Sequence, residues 1–330
     1  MALILSRDDV QRCLTMSEAI EAMGVAFSAL SNGLVHVPQR SSTNLQDQGV
    51  VLLMSSLLQT TEAQAFGIKV ITVMPANPLR NLPRSYASIL LLDAQTGKTL
   101  AIMEGGWLTA LRTGAASGFA TSLLARKDAH VLALFGAGVQ APMQALAIHT
   151  VRPLSEVRVV NKNDVHYQHL VETLQTSLGA TCPPIYRAAT SREALAGASL
   201  VACATASITP LFSWREVAPG THINAIGAFT PEMCEVDAET LAHAHIVVDQ
   251  REAALTEAGD LLQALASNHI TGPDTWTEIG ELAIGKYPAR QSQDEITFFK
   301  SVGVAVQDVA AAWQVYTNAR AKAIGSEIEV

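Results

Sequence analysis

Apolar residues recur at two spacings along this chain. Residues 16–30 repeat them every three or four positions and read as an amphipathic helix, with Thr15 or Ser17 available as its cap. Residues 50–53, 65–73 and 85–92 read as strands, separated by turn-rich sequence such as Pro75-Ala76-Asn77-Pro78. A hairpin turn at 93–97 leads into a further strand at 100–103, and a long helix of small residues follows at 108–125. Apolar runs at 130–135, 157–160, 199–204, 222–227 and 245–248 then alternate with helical patterns, as a parallel sheet with crossover helices requires. The last helix, 302–323, is apolar enough to pack back on the first domain. A chain of 330 residues is too long for one ordinary core. The pattern predicts a split domain, 1–125 plus 302–330, around an inserted one, 126–301.

The inserted domain opens on a specific local signal. The run ending at Phe135 is followed at once by Gly136-Ala137-Gly138-Val139-Gln140-Ala141 and then by a helical pattern through Met143, Leu146, Ala147 and Thr150. A strand, a glycine turn and a helix start in this order bind the pyrophosphate of a dinucleotide. Gly136 permits the tight turn, Gly138 lets the backbone approach the phosphates, and Ala141 allows close helix–strand packing. N–H groups at the helix start and the positive end of the helix dipole hold the anion. About twenty residues on, an NAD-binding chain usually places an acid on the adenosine ribose. Here the second strand ends in Asn161-Lys162-Asn163, and Asp164 comes late. Asn161 can bond a ribose hydroxyl. Lys162 either neutralises a 2′-phosphate or is a solvated turn residue. On balance these residues favour NADP(H), with NAD(H) as the alternative.

Composition narrows the function classes. With 49% hydrophobic and 16% charged residues the chain is a well-buried globular protein. A net charge of −8 and the lack of any basic run argue against nucleic acid or an anionic membrane as partner. Cys13, Cys182, Cys203 and Cys234 show no CxxC spacing and read as reduced packing residues. There is no apolar stretch of about 18 residues, and Arg7, Asp8 and Asp9 interrupt the N-terminus, so a cytoplasmic protein is expected. His166 and His169 have ligand spacing but no third ligand, and no metal is expected. Ser41-Ser42 and Ser55-Ser56 lack a nucleophile-elbow pattern.

Three cations stand in apolar surroundings: Arg40, Lys69 and Arg112. Lys69 lies inside the strand Phe66-Gly67-Ile68-Lys69-Val70-Ile71, where an unpaired buried charge costs several kcal/mol. One reading is a pocket for a substrate carboxylate, with arginine supplying a two-pronged fork. The other is ordinary ion pairing with Glu62, Glu104 or Asp93.

The ordered segments Gly67-Ile68-Lys69, Asn81-Leu82-Pro83, Leu108-Thr109-Ala110-Leu111-Arg112-Thr113-Gly114, the glycine turn, His222-Ile223-Asn224-Ala225-Ile226-Gly227, Gly259-Asp260, Ile279-Gly280-Glu281-Leu282 and Phe299-Lys300-Ser301-Val302-Gly303 resemble the ornithine cyclodeaminase and mu-crystallin family. The resemblance implies an α/β fold, with a Rossmann-type doubly wound domain inserted in an α+β substrate-binding and dimerisation domain. It implies that Arg40, Lys69 and Arg112 hold a substrate carboxylate, with Lys69 also the catalytic candidate. It assigns Thr205, Ile226, Val302 and Gly303 to the cofactor together with Gly136, Ala137, Gly138, Val139, Gln140, Asn161 and Lys162, and adds Arg112 and Asp308. Arg84 replaces a family threonine and is a cofactor-phosphate contact, a second anion contact or a surface residue. Cyclodeaminases of the family carry an aspartate where this chain has Phe229, and Phe229 cannot move a proton. An acid upstream of Lys69 is also missing, Val51-Leu52-Leu53-Met54 taking its place. The expected activity is therefore NAD(P)H-dependent reduction of an imino acid, foremost a cyclic ketimine, by a homodimer. Ornithine cyclodeamination, an alanine-type dehydrogenase and a crystallin-like NADPH-binding protein are the alternatives.

Overall fold

A computed structural model of the chain describes every residue except Asp47, Glu62 and Val330. The chain forms two compact units, Met1–Arg112 with Val304–Val330, and Thr113–Gly303.

The first unit begins with β1 (Ala2–Leu5), α1 (Arg7–Cys13) and α2 (Met16–Ser31). Ser6 and Thr15 start the helices: each hydroxyl accepts the N–H three residues on, and Asp9 or Glu18 there accepts the cap's own N–H. Strands β2 (Val35–His36), β3 (Ser41–Asn44), β4 (Val50–Gln59), β5 (Gln64–Val73), β6 (Ser85–Asp93) and β7 (Thr99–Glu104) follow. They build a sheet in the order β1-β7-β6-β5-β4-β2, with β3 also on β4. All these pairs are antiparallel except β1 with β7. The period of two along β5 turns Ala65, Gly67 and Lys69 to the buried face and leaves Val70 exposed. The helix α3 (Gly106–Leu124) then leaves this unit at Arg112. From Thr113 on it belongs to the second unit, where a Cβ on Gly114 would lie 2.5 Å from the Met143 carbonyl oxygen. That close approach places the division within α3, earlier than residue 125.

The second unit alternates strand and helix through β8 (Val131–Phe135), α4 (Gln140–Val151), β9 (Glu156–Val160), α5 (Asp164–Leu178), β10 (Ile185–Arg187), α6 (Ser191–Leu195), β11 (Leu200–Cys203) and β12 (His222–Ala225). It continues with α7 (Ala238–Ala242), β13 (Ala244–Val248), α8 (Arg251–Glu257), α9 (Gly259–Ala266), β14 (Thr277–Glu278), α10 (Ile279–Ala283) and β15 (Ile296–Lys300). The sheet order is β10-β9-β8-β11-β12-β15-β13-β14, and every pair is parallel. Leu132, Leu134, Val157, Val159, Leu200 and Ala202 enter one core, while Ala133, Phe135, Val201, Cys203, Ile223 and Phe298 enter another. Both faces are covered, which is why the strands read as continuous apolar runs. This is a Rossmann-type doubly wound domain.

The chain returns to the first unit as α11 (Ala305–Lys322) and β16 (Ser326–Ile328), the latter antiparallel to β1. α11 lies so close over β5 that a Cβ on Gly67 would come within 2.7 Å of Val309 Cγ2. The expected helix start at 302 falls in an extended turn, because Gly303 takes a φ of +83°. Among the described residues no single helix is long and apolar enough to cross a membrane.

Candidate active site

In the first unit the strand period and the close approach of α11 dictate the contacts of Lys69. Gly67 and Lys69 share the face of β5 that α11 covers, and Asp308 lies in the first turn of α11, where the helix dipole favours a carboxylate. Lys69 Nζ donates to Asp308 Oδ2 at 2.7 Å. Arg112, from α3, donates through Nε to Asp308 Oδ1 at 2.9 Å and through Nη1 to Gln307 Oε1 at 2.9 Å. Gln307 Oε1 also accepts the Val304 N–H at 2.7 Å. Lys69 and Asp308 are each 2% exposed and Arg112 4%.

Burial, partly offset by Asp308 and reinforced by the Arg112 and Arg40 charges, lowers the Lys69 ammonium from 10.5 to about 8. Burial opposes ionisation of Asp308, but the Arg112 and Lys69 charges outweigh it and hold the carboxyl below its usual range. Among the described residues, the leading charges acting on Lys69 are the negative Asp308 and the positive Arg112 and Arg40. Arg40, half-buried just before β3, belongs to this electrostatic group. Arg84 is exposed at the entry to β6. Two of the acids proposed as ion-pair partners are used locally. Glu104 caps α3, accepting the Gly106 N–H at 2.8 Å and the Trp107 N–H at 2.9 Å. Asp93 accepts the Gln95 and Thr96 N–H groups in the hairpin. Glu62 lies outside the described residues. The ion pairs exist, but with Asp308, which the sequence reading placed at the cofactor.

In the second unit the glycine turn leaves β8 as expected. Gly136 has a φ of +102°, and a Cβ there would lie 2.5 Å from the Ala204 carbonyl oxygen at the tip of β11. A Cβ on Gly138 would meet nothing within 4 Å, so the turn is open on that side. Ala137 and Ala141 are buried, Val139 is exposed, and no side chain caps the start of α4. Gln140 Oε1 is buried there without a hydrogen-bond partner. An open glycine turn before an uncapped twelve-residue helix fits a dinucleotide pyrophosphate. At the β9 tip the Asn161 amide is folded onto Asn163, which caps α5. Lys162 is exposed beside it. Arg187, at the end of neighbouring β10, donates to the Asn161 carbonyl at 2.8 Å, pairs with Asp164 and lies over the Tyr167 ring.

The remaining cofactor candidates follow the tips of the central strands. Thr205 follows β11, and Ile226 follows β12 with its N–H on the Cys203 carbonyl at 3.0 Å. Val302 and Gly303 follow β15, where Asp249 Oδ2 accepts their N–H groups at 2.9 and 2.8 Å. Asp249, like Glu235 beside Thr205, is a buried acid that sequence reasoning passed over. A family model described as "Ornithine cyclodeaminase/mu-crystallin family" matches residues 1–323.

The chain belongs to the ornithine cyclodeaminase/mu-crystallin family. It is 35% identical over 329 residues to a Δ1-pyrroline-2-carboxylate reductase of Bacillus cereus, covering 99% of each chain. Among solved structures it resembles Δ1-pyrroline-2-carboxylate reductase of Thermococcus litoralis in complex with NADH and L-proline. The TM-score there is 0.92 and the identity 36%, over 99% of this chain and 100% of that one. An archaeal alanine dehydrogenase dimer with bound NAD matches with a TM-score of 0.90 and 34% identity, over 99% of each chain. This chain carries the buried Lys69, Arg112 and Asp308 cluster in its first unit, and in its second the open glycine turn after β8 and an exposed Phe229 after β12.

Proposed function

We propose that this protein is an NAD(P)H-dependent reductase of imino acids, acting on cyclic ketimines such as Δ1-pyrroline-2-carboxylate and Δ1-piperideine-2-carboxylate to give the L-amino acid. The observation that carries this reading is the buried surplus of positive charge: Lys69 and Arg112 share the single carboxylate of Asp308, and Arg40 acts on the same group. Burying an uncancelled charge is costly, and an anionic ligand cancels it. A 2-imino acid brings that anion as its carboxylate, next to the carbon to be reduced. Arg40 and Arg112 hold and orient the carboxylate. Lys69 completes the clamp, and its ammonium, lowered to about 8, is also suited to hand a proton to the substrate near neutral pH.

When bound, a reduced nicotinamide supplies the hydride that, with one proton, converts C=N to CH–NH. Gly136, Ala137, Gly138, Val139 and Gln140 would hold its pyrophosphate, and Thr205, Ile226, Val302 and Gly303 its nicotinamide half. NADPH is favoured over NADH because Lys162 stands exposed at the β9 tip with the Arg187 guanidinium close by, where a 2′-phosphate would sit. The Thermococcus relative held with NADH and L-proline supports a five-membered ring. The alanine dehydrogenase relative supports an acyclic 2-imino acid as the second reading. Cyclodeamination is disfavoured by Phe229. The enzyme is taken to be a cytoplasmic homodimer whose partner covers the open face of the first unit's sheet, where Leu53 and Val70 form an exposed cross-strand pair near Tyr86.

The test is the purified protein with NADPH or NADH and a panel of cyclic and acyclic 2-imino acids, following loss of reduced-cofactor absorbance. Turnover of a cyclic ketimine is expected. Cofactor oxidation with none of the panel would overturn the reading.

A further inference from the structure

Glu235 is fully buried, and four donors converge on its carboxylate. Oε1 accepts the Thr205 N–H at 2.7 Å and the Thr205 hydroxyl at 2.9 Å. Oε2 accepts the Gly227 N–H at 2.7 Å and the Ala228 N–H at 3.2 Å. Thr205 follows β11, and Gly227-Ala228 follow β12, its parallel neighbour. The carboxylate therefore ties together the tips of two adjacent strands and satisfies three N–H groups that would otherwise be orphaned. The tips are drawn so close that a Cβ on Gly227 would lie 2.1 Å from the Thr205 carbonyl oxygen and 2.4 Å from Glu235 Oε1.

Glu235 is itself fixed from behind. Its own N–H and that of Val236 donate to Asp260 Oδ1 at 2.6 and 3.0 Å, and Asp260 Oδ2 pairs with Lys300 Nζ at 2.6 Å. A dinucleotide on this fold lies across the carboxyl ends of the strands, around the point where strand order reverses. With β8 and β9 at the pyrophosphate and adenosine ribose, the other half of the cofactor meets the ends of β11 and β12.

We propose that Glu235 is a positioning residue for the nicotinamide half of the dinucleotide site, acting through the backbone of Thr205, Gly227 and Ala228. It rests on the dinucleotide reading above. Only an acceptor can face four donors. In Glu235→Gln the amide NH₂ must turn towards one pair of donors, so the strand tips separate although the volume is kept.

The test compares NADH with ADP, which occupies only the adenosine half, by titration calorimetry on the intact protein. For Glu235→Gln the Kd for NADH should rise about tenfold or more, and that for ADP should stay within about twofold. Thr205→Val removes one of the four contacts with little change in shape, the Thr205 hydroxyl being committed to Glu235 and the Ser207 N–H. It should weaken NADH by about threefold and leave ADP unchanged, and it decides the matter where Glu235→Gln does not fold. Parallel weakening of NADH and ADP would reduce Glu235 to a general fold contact, and unchanged NADH affinity would remove its role. A wild-type protein that binds none of NADH, NADPH and ADP would sink the dinucleotide reading itself, a different result from both.

Discussion

Asp308→Asn separates the charge coupling of the clamp from its packing, because the side-chain volume barely changes. Asp308 touches Lys69 at 2.7 Å and Arg112 at 2.9 Å, and both contacts are buried. At an effective dielectric of about 20, a pair at 2.7 Å interacts by about 6 kcal/mol before desolvation is charged against it. Removing one partner of a buried pair costs about 3–5 kcal/mol in practice. If only a third of the lower figure reaches Lys69, its ammonium falls from about 8 to nearer 7, at about 1.36 kcal/mol per pKa unit. The sign follows from the clamp: Lys69 must be protonated to hold the carboxylate or give up a proton, so activity is lost as pH rises through its pKa. For the wild type, kcat/KM for imino-acid reduction should be level below about pH 8 and fall above it. In Asp308→Asn the fall should begin at least about half a pH unit lower. The assay is initial-rate NAD(P)H oxidation across pH, with folding checked by near-UV circular dichroism. Titration of the substrate imine is common to both proteins, so it cancels in the comparison. Coincident alkaline limbs, or a limb displaced upward in the variant, would refute the coupling.

Four further outcomes are expected. Lys69→Met and Arg112→Met should each lower kcat/KM by about 10²-fold or more while dinucleotide binding persists; near-normal turnover in both would move the clamp elsewhere. Because Lys69 is lowered from 10.5 to about 8, the unfolded chain binds more protons in that window, so this group's contribution to stability rises with pH there. The urea midpoint of Lys69→Met should lack that rise. Lys162→Ala should raise the KM for NADPH by about 1.5–3 kcal/mol, the scale of a hydrogen bond to a charged group, and barely change that for NADH; equal effects would remove Lys162 from the phosphate. Ornithine with catalytic NAD+ should release no ammonia, since Phe229 offers no proton-transferring group, and stoichiometric release would overturn that reading.

The parallel sheet was legible because each of its signals is local. A strand buried on both faces is apolar throughout, and the glycine turn lies within a few residues of β8 and α4. The first unit was harder. All four residues of β3, Ser41–Asn44, are exposed and carry no apolar alternation, so backbone pairing with β4 alone makes them a strand. The short strand β1 and the edge strand β16 pair across almost the whole chain. Two buried acids were passed over for a related reason. Glu235 and Asp249 are buried because strand ends present N–H groups that need an acceptor, and where those ends meet is a property of the sheet.

Lys69 shows where sequence reasoning stops and what replaces it. A charge in an apolar strand signals that something neutralises it, but the signal is the same for an ion pair and for a ligand. The nearby acids Glu104 and Asp93 offered an ion pair within short reach. The actual partner, Asp308, is 239 residues away and is brought to Lys69 by the packing of α11 on β5. With that partner in place the two readings stop competing. Asp308 cancels one positive charge, and Lys69 with Arg112 supplies two. An ion pair that served only the fold would be complete with either cation alone. Retaining the second, with Arg40 adding to the same field, raises the cost of burial unless an anion arrives to share it. The surplus charge, more than the presence of charge, is what marks this cluster as a binding site.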